Sequence, residues 1–113
     1  MSIKYYIDTE KYRTNARERY VRVGGWALDT DGLEITFKVL LNNREADYSV
    51  NRVARTDVYR KYSRYPLHGK AGFYLTVPLE TEDPESVSIF ACNGKKEICI
   101  VHLEKKELNK IRY

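Results

Sequence analysis

Apolar and polar residues alternate with a period of two along most of the chain. The clearest case is Leu33 to Leu41, where Ile35, Phe37, Val39 and Leu41 interleave with Glu34, Thr36, Lys38 and Leu40. A strand with one buried face is the expected result. Ile3 to Ile7 alternates well enough to be a first short strand, and the polar stretch from Asp8 to Glu18 reads as a loop. Tyr20 to Leu28, Ala46 to Val53, Ala71 to Pro78, Ser86 to Cys92 and Glu97 to Leu103 complete a set of seven. Ala46 to Val53 is the more polar run, as suits an edge strand. In Ala71 to Pro78 the inward positions are Phe73, Leu75 and Val77. Seven short strands at this spacing predict a sandwich or barrel.

The turns carry their own chemistry. Asp29-Thr30-Asp31-Gly32 and Asn42-Asn43-Arg44 each reverse the chain, and Asn93-Gly94 joins the last two strands. Gly24-Gly25 interrupts the second strand. Glycine there often marks a bulge, and a one-residue bulge would move Trp26 and Leu28 onto the face of Val21 and Val23. The indole, burying about 200 Å², would then anchor the two sheets.

Two segments depart from the alternation. Thr56 to Tyr62 sets Val58, Tyr59, Tyr62 and Tyr65 at spacings of three and four, and Thr56-Asp57 can cap a short helix. Glu104 to Tyr113, with Leu108 and Ile111 three apart, reads as a C-terminal helix or a linker. The division is a β-sandwich over 1–104 and a helical or linker tail over 105–113.

At 113 residues and 13.3 kDa the chain suits one domain with one core. It is too short for two domains with a cleft between them. Ten tyrosines against three phenylalanines and one tryptophan favour strands and contact surfaces with a polar tip. No apolar stretch reaches signal-peptide or membrane-spanning length, so a soluble, cytoplasmic protein is expected. A two-residue turn at Asn93-Gly94 would set Cys92 opposite Lys95 and Cys99 opposite Ser88. The cysteines would then be offset by about 13 Å along the ladder, and both are read as reduced, buried or half-buried thiols.

The net charge of +4 conceals an asymmetry: six basic residues and one acid lie between Arg52 and Lys70, while Glu80, Glu82, Asp83 and Glu85 form an acidic turn. Basic residues interleaved with Tyr59, Tyr62 and Tyr65 could meet single-stranded nucleic acid, an acidic partner or an anionic membrane surface. The plainer reading puts the tyrosines on the core and the arginines in water, with no specific nucleic-acid contact and only peripheral membrane contact. His68 and His102 are far apart and lack metal-ligand spacing with the cysteines. No phosphate-binding loop or nucleophile elbow is present. The sequence therefore implies no catalytic residue, no metal and no cofactor.

Three ordered motifs carry a resemblance. Val21-Arg22-Val23-Gly24-Gly25-Trp26-Ala27-Leu28-Asp29, then Arg55-Thr56-Asp57-Val58 with Tyr62 shortly after, then Gly72-Phe73, are similar to the small β-sandwich domain attached to bacterial glycosyltransferases. Those enzymes build rhamnose-containing and other cell-surface polysaccharides. The chain departs from the usual pattern in placing Gly24 where a bulkier residue is common. The resemblance implies a noncatalytic N-terminal accessory domain, with a nucleotide-sugar-using domain after residue 113 and membrane association only through that parent enzyme.

The fold expected is an Ig-like antiparallel β-sandwich of about seven strands with one short inserted helix. Arg55, Asp57, Tyr59, Tyr62, Tyr65 and His68 are the candidate binding residues. Aromatic faces stack on sugar rings, and Arg and Asp offer paired hydrogen bonds to hydroxyls. Within the pair, Asp57 suits the positive end of a helix, and Arg55 can reach a neighbouring strand or Asp57 itself. The expected partner is a glycan or acceptor; the alternative is a scaffold domain that packs on a catalytic domain or a partner subunit.

Overall fold

The computed structural model describes residues 2–14, 19–65, 70–79 and 84–108, with side chains of 9–19 and 107 left out. Among these residues eight strands and two short helices follow in the order β1 (Ile3–Thr14), β2 (Arg19–Asp29), β3 (Thr36–Leu41), β4 (Arg44–Glu45), β5 (Ser49–Val53), α1 (Thr56–Lys61), β6 (Gly72–Pro78), β7 (Ser86–Cys92), β8 (Glu97–Glu104) and α2 (Lys105–Leu108). They form two four-stranded antiparallel sheets, β1-β2-β6-β5 and β4-β3-β7-β8. That is the strand order of an Ig-like sandwich, with α1 inserted between β5 and β6. The eighth strand is the two-residue β4. It is created by a tight turn in which Asn42 and Asn43 both adopt positive φ, at 53° and 64°. Asparagine tolerates that region better than other non-glycine residues.

Alternation fixes which side chains enter the core. Val21, Val23 and Ala27 of β2 and Phe73, Leu75 and Val77 of β6 face Phe37 and Val39 of β3, Val87, Ile89 and Ala91 of β7, and Val101 and Leu103 of β8. The Phe37 and Phe73 rings meet across the layers at 4.7 Å between centroids. Leu108 of α2 is buried in the same cluster, so this helix packs on the sandwich.

The bulge lies in a different strand from the one expected. β2 runs in unbroken register against β6 from Tyr20 to Trp26, and the irregularity falls on β1, where Asp8 is the extra residue between Ile7 and Thr9. With the parity of β2 intact, Trp26 and Leu28 point to the face opposite Val21 and Val23. There they form a second apolar cluster with Val58 and Ala71, against which Tyr59 and Tyr62 pack. The indole thus fastens α1 to the outside of one sheet and does not join the two sheets. β1 also extends beyond its expected end at Ile7 to Thr14, in place of a loop.

Gly25 explains the location of the bulge. A Cβ at this position would collide with the Tyr6 carbonyl oxygen and sit 3.1 Å from Ile7 Cα. The bulged backbone of β1 therefore needs a neighbour without a side chain. Gly25→Ala should destabilise the domain by about 1–3 kcal/mol through forced displacement of β1. A denaturant midpoint unchanged from the native chain would contradict this.

The open edge of β3 is capped by the segment that crosses to the other sheet. Ile35 O accepts from Arg52 Nη2 at 2.5 Å, Phe37 O from the Tyr48 hydroxyl at 2.7 Å and Val39 O from Ala46 N at 3.0 Å. Successive carbonyls that would recruit a foreign strand are thereby occupied. The last hairpin departs from the two-residue turn: Asn93 to Lys96 span the connection, placing Cys92 opposite Glu97 and Cys99 opposite Phe90. Both thiols are free, Cys92 half-buried and Cys99 exposed where burial was expected. Among the described residues no helix is long and apolar enough to cross a membrane.

Candidate functional site

Helix α1 has six residues, too few to be stable in isolation, so its position is set by packing. Its N-cap is Arg55, with no side-chain cap, in place of the expected Thr56-Asp57 cap. Arg55 Nε and Nη2 donate to Asp57 Oδ1 and Oδ2 at 3.0 and 2.9 Å. The remaining edge of the guanidinium donates through Nη1 to Asp8 Oδ2 at 2.5 Å. The Arg55 side chain therefore holds the bulge of β1 to the first turn of the helix. Hydrogen bonds to Asp57, and next to Asp8, stabilise the guanidinium charge and raise its pKa, while the Asp57 carboxyl is lowered chiefly by Arg55. Two carboxylates and one guanidinium satisfy each other, which leaves this pair few groups to offer a ligand.

The tyrosines divide. Tyr62 leans on Trp26 with ring centroids 5.4 Å apart, and Tyr65 stacks on Tyr62 at 6.0 Å. Lys4 and Lys61 lie over the Tyr62 ring, and Arg64 over that of Tyr65. Tyr62 and Tyr65 are thus half-buried parts of an aromatic stack that secures the helix, while Arg60, Lys61 and Arg64 are exposed. Tyr59, on another side of α1, lines a concave site. His68 lies outside the described residues.

That site is a cleft of about 630 Å³ at one end of the sandwich. Its walls are the end of β2 (Ala27 to Asp29), the crossing from Gly32 to Ile35, Arg52 of β5, Tyr59 of α1, and Lys70 and Ala71 before β6. Ala27, Leu28, Leu33, Ile35 and Ala71 provide apolar surface, and Tyr59, Glu34, Arg52 and Lys70 provide polar ends. Small-molecule sites commonly combine such walls with a few fixed polar groups, in volumes of roughly 300–1,000 Å³.

Two of these groups are held firmly. Arg52 sits at an inward position of β5, opposite Phe73. Its guanidinium donates to Ile35 O and lies 4.7 Å from the centroid of the Phe37 ring. Burial pulls its pKa below the usual arginine value, partly countered by the nearby Glu34 carboxylate. Asp29, 2% exposed, accepts from Asn93 Nδ2 at 2.9 Å through Oδ1 and from the N–H groups of Asp31 and Leu33 at 2.8 and 3.1 Å through Oδ2. Asn93 Oδ1 in turn accepts from Lys95 N and Lys96 N at 2.9 and 2.8 Å. One buried pair therefore ties the turn forming the cleft rim to the last hairpin on the other sheet.

Of the five expected residues that are described, Tyr59 lines the cleft and Arg55, Asp57, Tyr62 and Tyr65 do not; Glu34, Arg52 and Lys70, which the sequence does not single out, line it too. Arg52 had a readable signal, since it shares the parity of Val50 in a strand and so places a charge on the inward face. Lys70 had none, because it lies outside any alternating run, and Glu34 reads only as a polar position of the Leu33 to Leu41 alternation.

A Ser88, His102 and Glu104 row crosses β7 and β8. Ser88 Oγ is 2.8 Å from His102 Nδ1, and His102 Nε2 is 3.7 Å from Glu104 Oε1. Ser88 is only 7% exposed, it meets Nδ1 of the imidazole where an activated serine meets Nε2, and the carboxylate at Nε2 stands beyond hydrogen-bond distance. This is a cross-strand polar pair with a carboxylate beside it, without the arrangement of an activated nucleophile facing a substrate cavity.

Comparison with protein-family models, with curated proteins and with solved structures finds no match to this chain.

Proposed function

We propose that the chain is a noncatalytic accessory domain of a glycosyltransferase, binding a glycan or acceptor in the cleft beside α1 and positioning it. The cleft carries this reading. Its apolar walls and the Tyr59 ring suit the C–H faces of a sugar, while carboxylate, guanidinium and ammonium groups suit hydroxyls that both donate and accept. The Ig-like scaffold and the resemblance carried by the Gly-Trp-Ala, Arg-Thr-Asp-Val and Gly-Phe motifs support it from a separate direction.

The test is a titration with mono- and disaccharides followed by amide chemical shifts. Saturable changes confined to Leu33, Arg52, Tyr59 and Ala71 are expected. Silence across a broad panel would remove the glycan reading and leave the scaffold reading. A separate surface favours the latter: Tyr6 and Tyr74, 60% and 45% exposed, stand on the outer face of the first sheet beyond the helix. There Arg22 packs against the Tyr74 ring at 5.5 Å. Such a patch suits protein contact.

A further inference from the structure

We infer that the cleft prefers uncharged sugars to acidic ones and that Glu34 determines this preference. The inference rests on the glycan reading above and specifies the ligand class of the same site.

Among the described residues the lining contains two cations, Arg52 and Lys70, and two carboxylates, Asp29 and Glu34. Their charges cancel, so the cleft does not concentrate anions as a basic pocket would. Their availability is unequal. Asp29 is buried with both oxygens occupied by Asn93, Asp31 and Leu33, so it contributes negative potential but no free acceptor. Arg52 is held by Ile35 O and lies against Phe37, so its guanidinium stays at the wall with fewer N–H groups left for a ligand carboxylate. It can still donate from its remaining N–H groups to hydroxyls. Glu34 is exposed and is the lining carboxylate able to accept hydroxyl hydrogens from a ligand.

A neutral polyol can use this set fully. Its hydroxyls donate to Glu34 and accept from Arg52 and Lys70. Replacing one hydroxymethyl of the same sugar by a carboxylate takes away a hydroxyl from which Glu34 could accept and adds a negative charge that Glu34 and the buried Asp29 repel, while Lys70, with Arg52 already committed to Ile35 O and Phe37, is the cation left to offset it. The lost hydroxyl contact to a charged acceptor and the remaining repulsion together correspond to on the order of a tenfold loss of affinity.

The experiment uses matched pairs differing only at that carbon: methyl glucoside and methyl glucuronide, with the corresponding galactose and mannose pairs. Each is titrated against the full chain and against Glu34→Gln in low salt, with amide shifts as readout. The native chain should bind the neutral member of a pair about tenfold more tightly than its uronide. In Glu34→Gln that ratio should fall to about threefold or less, even though loss of the charged acceptor weakens neutral binding as well. Thermal melts of both proteins check the fold, and an unchanged midpoint is expected for the exposed substitution. A uronide that binds the native chain as tightly as its neutral twin overturns the inference and leaves the glycan reading standing. So does a ratio that Glu34→Gln does not move. Absence of cleft shifts with every pair overturns both.

Discussion

Replacing Trp26 by alanine should destabilise the chain by about 3–5 kcal/mol, with the loss appearing first in helix α1 and not in the space between the sheets. The indole belongs to the outer cluster with Leu28, Val58 and Ala71, and Tyr62 rests against it. A six-residue helix without a side-chain cap has little stability of its own. Once the indole is gone, α1 keeps only the small contact of Val58 and Tyr59 with Leu28 and Ala71 and the pairing of Arg55 with its two carboxylates, and exposed ion pairs hold weakly. Native-state hydrogen exchange at low temperature is the direct measurement. The amides of Tyr59 and Tyr62, which donate to Arg55 O and Val58 O, should lose protection, whereas those of Val23, Leu75 and Ile89 should stay protected up to global unfolding. Equal loss of protection at the helix and in the inter-sheet core would show that the two clusters are one cooperative unit and that this account of Trp26 is wrong.

The same residue shows how far the sequence could be read. Period-two alternation is sufficient to place Phe37, Val39, Phe73, Leu75 and Val77 inward, because a strand with one buried face admits only that parity. The glycine pair before Trp26 was equally visible, but it has two physical meanings. Glycine either bulges its own strand or makes room for the bulge of a neighbour, and the local sequence is the same in both cases. Choosing the first flips every side chain beyond it, so Trp26 and Leu28 were assigned to the wrong layer. What separates the two is the partner strand, which extends from Ile3 to Thr14 across a polar stretch that reads locally as loop. β1 is held there by pairing with β2, a nonlocal effect that alternation cannot display.

The candidate site was legible to a similar depth. The Arg55-Asp57 pair and the aromatic stretch were identified, and both expected contacts of Arg55 are present, to Asp57 and to the neighbouring strand through Asp8. Their effect is to fix the helix in place, and through the helix to place Tyr59 at the cleft. Glu34, Arg52 and Lys70 come from three separate segments, and only the crossing between sheets brings them together. The hairpin register failed for a comparable reason. Asn93 uses its side chain to accept from Lys95 N and Lys96 N, which opens the turn to four residues, and the amide that remains points at Asp29, 64 positions away.

That pairing leads to the second large effect. Asp29→Ala should cost about 2–3 kcal/mol, because it takes the acceptor from the buried Asn93 Nδ2 and removes the bonds to the part-buried N–H groups of Asp31 and Leu33. Asn93 cannot compensate by turning its amide over, since Oδ1 is already held by two backbone donors of its own turn. For the same reason Asp29→Asn is no conservative change: one of the two facing amides must present a donor to a donor, and a loss of about 1–3 kcal/mol is expected. The ionised carboxylate gives this pair a pH dependence whose sign follows from its donors. Burial alone would raise the Asp29 pKa, but the hydrogen bonds from Asn93, Leu33 N and Asp31 N outweigh it and hold the group below the ordinary carboxylate value. A group depressed in the folded state stabilises fully above its unfolded pKa, near 3.9, and that contribution drains away as pH falls through the folded value. Denaturant unfolding of the native chain should therefore show stability falling between about pH 5 and pH 2, with a shallower slope in Asp29→Asn, which has no such proton to take up. Parallel slopes in the two proteins would mean that acid acts through other carboxylates and that the Asp29–Asn93 tie is not the acid-sensitive joint between the cleft rim and the opposite sheet.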